Sequence, residues 1–492
     1  MSAPDLITTI GMEVHLHLAT RTKMFCPCEV RYDAPPNSCV CPVCLGMPGV
    51  LPVMNGRAVE LAVRMAIGLG CTIPAFAKWD RKHYYYPDLP KNYQISEYDE
   101  PLGLGGHLDV ELDGETFRVG ITRVHLEEDA GKLMHAEDGS NVSVVDLNRT
   151  GTPLLEVVSE PDIQSAAQAR AYGEALRQLA VYLGVGHCNM QLGQMRFEPN
   201  ISLKIGDGPD GSGGQPRYTP ITEIKNLNSF RSVERACAFE IARHRDEFAA
   251  DPAGYTLENQ GKSTRGWNDD RGVSFLMRSK EEAHDYRYFP EPDLVPFVPA
   301  PEWVDKIRAD MPETPSQKRY KLVTTYRLSP YEVDVLVSDP DLSDFSEEVL
   351  RNAQDSSTAA GLIMTEGLRF VNERDKPISK LFKPGDVAAV SDMIFSGEIS
   401  RSVAPHVFVQ LVETGKSAAD IVRDENLAQT SDEGELERVV DEVIRENPGP
   451  AQDFAEGKDK AVGRLIGMAK QKTGGKANPN VVREILIRKL RG

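Results

Sequence analysis

Three short stretches of this chain bring together acids, histidines and a lysine: Gly11-Met-Glu-Val-His-Leu-His17, His125-Leu-Glu-Glu-Asp-Ala-Gly-Lys132 and Asp146-Leu-Asn-Arg-Thr-Gly-Thr-Pro-Leu-Leu-Glu156. Such a mixture suits one hard metal ion and a phosphoryl group. Carboxylate oxygens hold the ion, and a cation neutralises phosphate charge.

Each stretch needs an element to position it. On a strand, successive side chains alternate faces, so Ile10, Met12, Val14, Leu16 and Leu18 share one side while Gly11, Glu13, His15 and His17 share the other. Taken alone, that second side fits an exposed polar face as well as a site. The run Glu127, Glu128, Asp129 is costly unless a positive group sits among the acids, and a divalent cation is the simplest such group. Taken singly, the run is more simply a charged turn in water. In the third stretch, Asn148 to Gly151 form a turn, and Glu156 interrupts Leu154, Leu155, Val157 and Val158, where a carboxylate needs a partner.

At 492 residues with 40% hydrophobic content, two or three domains and a sizeable core are expected. No apolar run approaches the roughly 18 residues of a membrane span, and no basic segment followed by an apolar core opens the chain. The expectation is a cytoplasmic protein without a membrane. A net charge of −18 argues against nonspecific nucleic-acid binding by the whole chain. Its distribution differs, however. Nine acids between Asp432 and Glu456 precede ten bases between Lys458 and Arg491, among which only Asp459 and Glu484 are acidic. Lys458, Lys460, Arg464, Lys470, Lys472 and Lys476 make a candidate grip on a phosphate backbone, with a solvated helix face as the alternative.

Five of the eight cysteines cluster: Cys26, Cys28, Cys39, Cys41 and Cys44. The pairs Cys26-Pro-Cys28 and Cys41-Pro-Val-Cys44 have the spacing of a tetrahedral thiolate site for Zn²⁺, and four sulfurs leave no position for water, so the zinc is expected to be structural. Cys39 competes with Cys41 for the fourth place.

The overall pattern is α+β. Residues 1–295 read as a mixed-sheet domain that includes the zinc segment 26–44. A hairpin turns at Asp113-Gly114, one helix runs from Gly56 to Gly70, and another runs from Ser165 to Gly184 behind a capping box of Ser165 and Gln168. The Gly- and Pro-rich stretch Gly206 to Gly214 reads as a hairpin tip. Beyond Pro296 come helices punctuated by prolines, such as that opened by Ser329-Pro330, giving an all-α domain over 296–411 and a small all-α tail over 412–492.

Along its full length the chain resembles the B-subunit family of the bacterial glutamyl-tRNA(Gln)/aspartyl-tRNA(Asn) amidotransferases. The resemblance rests on Ile10-Gly-Met-Glu-Val-His15, the cysteines running into Pro48-Gly-Val-Leu-Pro52, Asp80-Arg-Lys-His-Tyr-Tyr-Tyr-Pro-Asp88 and Tyr93-Gln-Ile-Ser96. It continues through His125–Lys132, Asp146–Asp162, Glu223-Ile-Lys-Asn-Leu-Asn-Ser-Phe230, Tyr286-Arg-Tyr-Phe-Pro-Glu-Pro-Asp293 and Gly457–Pro479.

The resemblance implies a cradle-like catalytic domain followed by helical and tail domains. It also implies a ligase that uses ATP to phosphorylate the side-chain carboxylate of Glu-tRNA(Gln), Asp-tRNA(Asn) or both, and then amidates it. Ammonia would come from a glutaminase (amidase-family) A subunit, with a small C subunit completing a heterotrimer. Carried over residue by residue, His15, Glu128 and Glu156 are the expected Mg²⁺ ligands, with Glu13 beside His15. Lys82 is the expected phosphate-neutralising cation, and Glu127 is expected to orient water or deprotonate ammonium. The segment from Gln191 to Asn200 departs from the family's usual pattern at Gln191, Gln194 and Glu198-Pro199, so no role is carried to it. No Gly-x-x-x-x-Gly-Lys-[Ser/Thr] motif is present, which leaves nucleotide to another scaffold. A noncatalytic, zinc-stabilised tRNA-binding scaffold is the competing reading.

Overall fold

A computed structural model describes residues 5–135, 142–206, 216–279, 286–429 and 433–492. The hairpin tip expected at Gly206 to Gly214 lies, apart from Gly206, outside the described residues. Two compact units form, Met1–Thr314 and Pro315–Gly492.

The first unit is built on a sheet of β1 (Leu6–His17), β2 (Asp80–His83), β3 (Tyr93–Ser96), β4 (Gly103–Leu104), β5 (His107–Leu112) and β6 (Glu115–Glu128). A separate pair, β7 (Lys132–His135) and β8 (Ser143–Asp146), follows. The sheet then resumes with β9 (Pro153–Ser159), β10 (Met195–Ile205), β11 (Arg217–Tyr218), β12 (Ile221–Lys225), β13 (Lys262–Asn268), β14 (Val273–Ser279) and β15 (Phe289–Pro290). Its order is β14-β13-β12-β10-β1-β9-β6-β3-β2-β15, so β1 is central, between β10 and β9. The expected hairpin joins β5 to β6, and Asp113 (φ 53°) and Gly114 (φ 82°) adopt the positive φ that a primed turn needs.

Alternation along β1 divides the molecule. Ile10, Met12, Val14 and Leu16 are almost completely buried and pack with Leu61, Tyr172, Leu176, Phe197 and Val233. Each such side chain contributes about 1.5–3 kcal/mol. The helices on that side are α1 (Gly56–Gly68), α2 (Ala166–Tyr182) and α3 (Phe230–Ala250). Asn55 caps α1 by accepting from the Arg57 and Ala58 amides. Ser165 caps α2 by accepting from the Gln168 amide, while the Gln168 side chain accepts from the Gln164 amide, so the expected box reaches one residue further back. After the one-turn α4 (Leu257–Gln260), α5 (Pro301–Ala309) places Val304 and Ile307 in this same core. The first unit therefore extends past the boundary expected at 295, because that helix buries its apolar stripe against the N-terminal core.

The second unit comprises α6 (Pro315–Tyr326), α7 (Pro330–Leu336), α8 (Pro340–Asn352), α9 (Ser356–Leu362), α10 (Leu368–Arg374), α11 (Pro384–Phe395), α12 (Ala404–Thr414) and α13 (Ala418–Asp424). It ends with α14 (Glu433–Glu446), α15 (Pro448–Ala455), α16 (Lys460–Lys472) and α17 (Pro479–Leu490). Ser329 and Glu332 form a complete capping box on α7. Position 412, expected as a domain boundary, falls inside α12, whose Val407, Phe408 and Leu411 are buried. Leu436, Val440, Val443, Leu465, Val482 and Leu486 make a separate apolar cluster from α14 onward.

Candidate active site

Strand register assembles the polar face. His15 on β1 lies opposite Arg196 on β10 and Glu156 on β9, and Glu156 lies opposite His125 on β6. Directly opposed residues of antiparallel strands share a face, so Arg196, His15, Glu156 and His125 form one row across four strands. Glu198 and Glu13 form the neighbouring row, while Glu127 stands opposite Leu154 and Ser96.

At the centre, His15 Nε2 is 3.3 Å from Glu156 Oε2 and 3.6 Å from Glu127 Oε1, and His125 Nε2 is 3.1 Å from Glu156 Oε2. Ligand atoms of His15, Glu127 and Glu156 all lie within 4.8 Å of one another. Burial opposes a charge on His15, but the Glu156 carboxylate outweighs it and raises the imidazole to about 9. Glu156 is held well below its ordinary range against burial by His125 and His15. Burial likewise opposes the Lys82 ammonium, which Glu127, Tyr288 and Glu156 hold well above its usual value. Two buried carboxylates this close require positive charge. Their oxygens, with an imidazole beside them, fit a divalent cation, although nitrogen is the less usual partner for Mg²⁺. Among the described residues, Nδ1 of both His15 and His125 is buried without a hydrogen-bond partner.

The expected ligand Glu128 is not brought to this group. It follows Val124 and Leu126 onto the opposite face of β6, pairs with Lys91, and accepts from the Ile95 amide at 3.1 Å. There it lines a cavity of about 110 Å³ with Phe25, Met47, Tyr93 and Gly151. Strand alternation decides this: adjacent residues cannot serve one face, and Glu127 holds the place expected of Glu128.

The row opens on a cavity of about 710 Å³ lined by Glu13, His15, Lys82, Glu127 and Glu156, all expected from sequence. Residues given no individual role from sequence also line it, among them His125, Asp129, Arg149 and Arg196. Asp129 is held far below its usual range, against burial, by Arg196 at 2.9 Å, Arg149 at 3.3 Å and His17 at 2.7 Å. Glu13, Glu198 and Glu223 form a second carboxylate trio. Lys225 lies 2.8 Å from Glu198 and 3.5 Å from Glu223, and Asn200 donates to Glu13 at 2.9 Å, so this trio already has partners. Burial raises Glu13 above its ordinary value. Pro199 sits buried opposite Met12 on the core face of β10, and strand alternation turns Arg196, Glu198 and Asn200 to the other face, toward the site. Alternation in Arg196-Phe-Glu-Pro-Asn200, and of His125 with Glu127, was the available signal.

The sulfurs of Cys26, Cys28, Cys41 and Cys44 converge within 4.8 Å, and Cys39 is not among them. Four converging sulfurs suit a tetrahedral structural metal such as zinc. Lys23 is fully buried with Nζ 3.5 Å from Cys44 Sγ. Cys26, then the Cys41 backbone and Lys23, lower the Cys44 thiol to about 4 against burial.

In the tail, acids of α14 and α15 fold against the basic segment. Lys472 pairs with Glu442 and Glu446, Lys458 with Asp453, Lys489 with Asp441, and Arg488 with Glu433 and Glu437. Among the described residues, Lys460, Arg464, Lys470 and Lys476 have no carboxylate within ion-pair distance, and Lys460, Arg464 and Lys476 are exposed. No helix of the described residues is long and apolar enough to cross a membrane.

The sequence model of the GatB/GatE catalytic domain matches residues 8–305, and that of the GatB domain matches residues 344–490. The chain is 44% identical, over 98% of both sequences, to the B subunit of the aspartyl/glutamyl-tRNA(Asn/Gln) amidotransferase of Carboxydothermus hydrogenoformans. It is 44% identical to the protein of the same name from Moorella thermoacetica, over 98% of this chain and 99% of that one. With the Caldanaerobacter subterraneus protein of that name it shares 43% identity over 98% of each.

Proposed function

Because the chain belongs to the GatB/GatE family, we propose that it is the activating subunit of a tRNA-dependent amidotransferase. It acts on Glu-tRNA(Gln), Asp-tRNA(Asn) or both. The observation that carries this reading is the convergence of His15, Glu127 and Glu156 at a cavity that Lys82 also lines.

A carboxylate resists attack by ammonia because oxide is a poor leaving group. Its oxygen therefore attacks the γ-phosphorus of ATP, ADP departs, and an acyl phosphate forms. Ammonia then adds to the carbonyl carbon, phosphate leaves, and the ammonium proton is lost to a base. His15, Glu127 and Glu156 would hold magnesium, which would supply positive charge against the nucleotide phosphates. Lys82, kept charged by its carboxylate neighbours, offsets charge on the transferring phosphoryl group. Glu13, raised above its ordinary value by burial and oriented by Asn200, takes the proton released on amidation. Arg196 and Arg149, fixed by Asp129, supply fixed positive charge to an anionic substrate.

The family relatives are named as one lettered component of an amidotransferase, which supports assembly with a glutaminase A subunit that provides ammonia and with a small C subunit. Cys26, Cys28, Cys41 and Cys44 hold a structural zinc, and the unpaired bases of the tail contact tRNA. The test is conversion of each mischarged tRNA by the reconstituted three-subunit complex with ATP and glutamine. Amidated tRNA with one ADP per turnover is expected, and amidation without ADP would reject the activating role.

A further inference from the structure

Five tyrosines, Tyr84, Tyr86, Tyr98, Tyr286 and Tyr288, line the same cavity as Lys82. Tyr98 and Tyr288 stack with ring centroids 4.0 Å apart and planes 9° from parallel. Tyr84 stands edge-on to Tyr86 at 6.2 Å and to Tyr286 at 6.3 Å, and Tyr286 meets Tyr288 at 6.1 Å. Lys82 Nζ lies 5.1 Å from the centre of the Tyr286 ring. The cluster is not closed: Tyr98 is 46% exposed and Tyr86 is 52% exposed.

No step of the phosphoryl or amide chemistry uses one of these rings as a reacting group, although Tyr286 stands beside Lys82. Partly exposed rings that share one cavity with a fixed ammonium match a nucleotide, because every base presents a π-face for stacking while the adjoining phosphate seeks a cation. We infer that this tyrosine cluster, centred on the Tyr98–Tyr288 stack, is a platform for an adenine base. The inference rests on the reading that ATP and an aminoacylated tRNA enter this cavity. Both carry adenine: ATP itself, and the 3′-terminal adenosine that every mature tRNA bears.

The test uses the full-length chain with Mg²⁺. One arm measures affinity for a non-hydrolysable ATP analogue, and the other measures affinity for tRNA with and without its terminal adenosine. Tyr98→Ala and Tyr288→Ala should weaken one ligand about tenfold or more, whereas Tyr98→Phe and Tyr288→Phe should stay within about threefold of wild type. Loss confined to the analogue assigns the platform to ATP. Loss of the advantage conferred by the terminal adenosine assigns it to tRNA. Tyr98→Leu, which keeps apolar bulk without a π-face, serves the same comparison where alanine disturbs folding. Unchanged binding of both ligands in the alanine or leucine variants would overturn the inference, as would phenylalanine variants as weak as alanine. The outcome is separable from the activating role. A wild-type complex that forms ADP on mischarged tRNA beside tyrosine variants that bind normally removes only the platform, whereas a wild-type complex that forms none removes the reading beneath it.

Discussion

Glu127 and Glu128 are neighbours in sequence, yet their substitution should give different enzymes. Glu127 Oε1 lies 3.6 Å from His15 Nε2 with its side chain 3% exposed, while Glu128 is paired with Lys91 on the other face of the strand. At that separation and an effective dielectric constant of about 20, one unit of charge is worth about 4–5 kcal/mol to a cation beside it. Glu127→Gln keeps the shape and removes the charge, so it should reduce ADP formation at limiting Mg²⁺ by roughly 10³-fold and shift the Mg²⁺ dependence to higher concentration. Glu128→Gln should leave that Mg²⁺ dependence near wild type. The assay is ADP release driven by mischarged tRNA across a Mg²⁺ titration, with tRNA affinity measured alongside to show that the fold and substrate binding persist. A Glu128→Gln enzyme that loses its Mg²⁺ response while Glu127→Gln retains it would refute the argument from strand alternation.

Metal analysis should find about one zinc per chain, lost in Cys44→Ser and kept in Cys39→Ser; full zinc in the first variant would dissociate the four sulfurs from the metal. Joint replacement of Lys460, Arg464, Lys470 and Lys476 by alanine should flatten the log–log salt dependence of tRNA binding by up to about 3. Lys472→Ala should change it little, since Glu442 and Glu446 already pair with that lysine. His244 is fully buried between the hydroxyls of Thr219 and Thr222, and burial, then Arg243 and Arg265, lowers its pKa to about 3. Below about pH 6.5 the unfolded chain therefore takes up a proton that the folded chain does not, and stability falls as pH drops toward 3, by at most about 1.4 kcal/mol per unit. Denaturation followed by tryptophan fluorescence reports the first unit, which holds Trp79, Trp267 and Trp303; His244→Gln should flatten that slope, and an unaltered slope would assign it elsewhere.

Local periodicity carried much of this molecule. The alternation from Ile10 to Leu16 separates core from site without any partner strand, Asp113-Gly114 demands a primed turn, and Asn55, Ser165 and Ser329 start helices through their own side-chain oxygens. The four converging sulfurs were legible because two cysteine pairs at short spacing match a tetrahedral thiolate site. Alternation could also have separated Glu127 from Glu128, had β6 been phased on Val124 and Leu126. Other features had no local signature. Glu13 and Asn200 are 187 positions apart, and only the pairing of β1 with β10 sets them 2.9 Å from each other. The same register carries Arg196 to His15, while the β1–β9–β6 register carries Glu156 and His125 to it. Side-chain period is a property of one strand's backbone, readable wherever it is written. Register is chosen by the burial of two strands' apolar faces at once, so it exists only after the chain has packed, and the site follows from that choice.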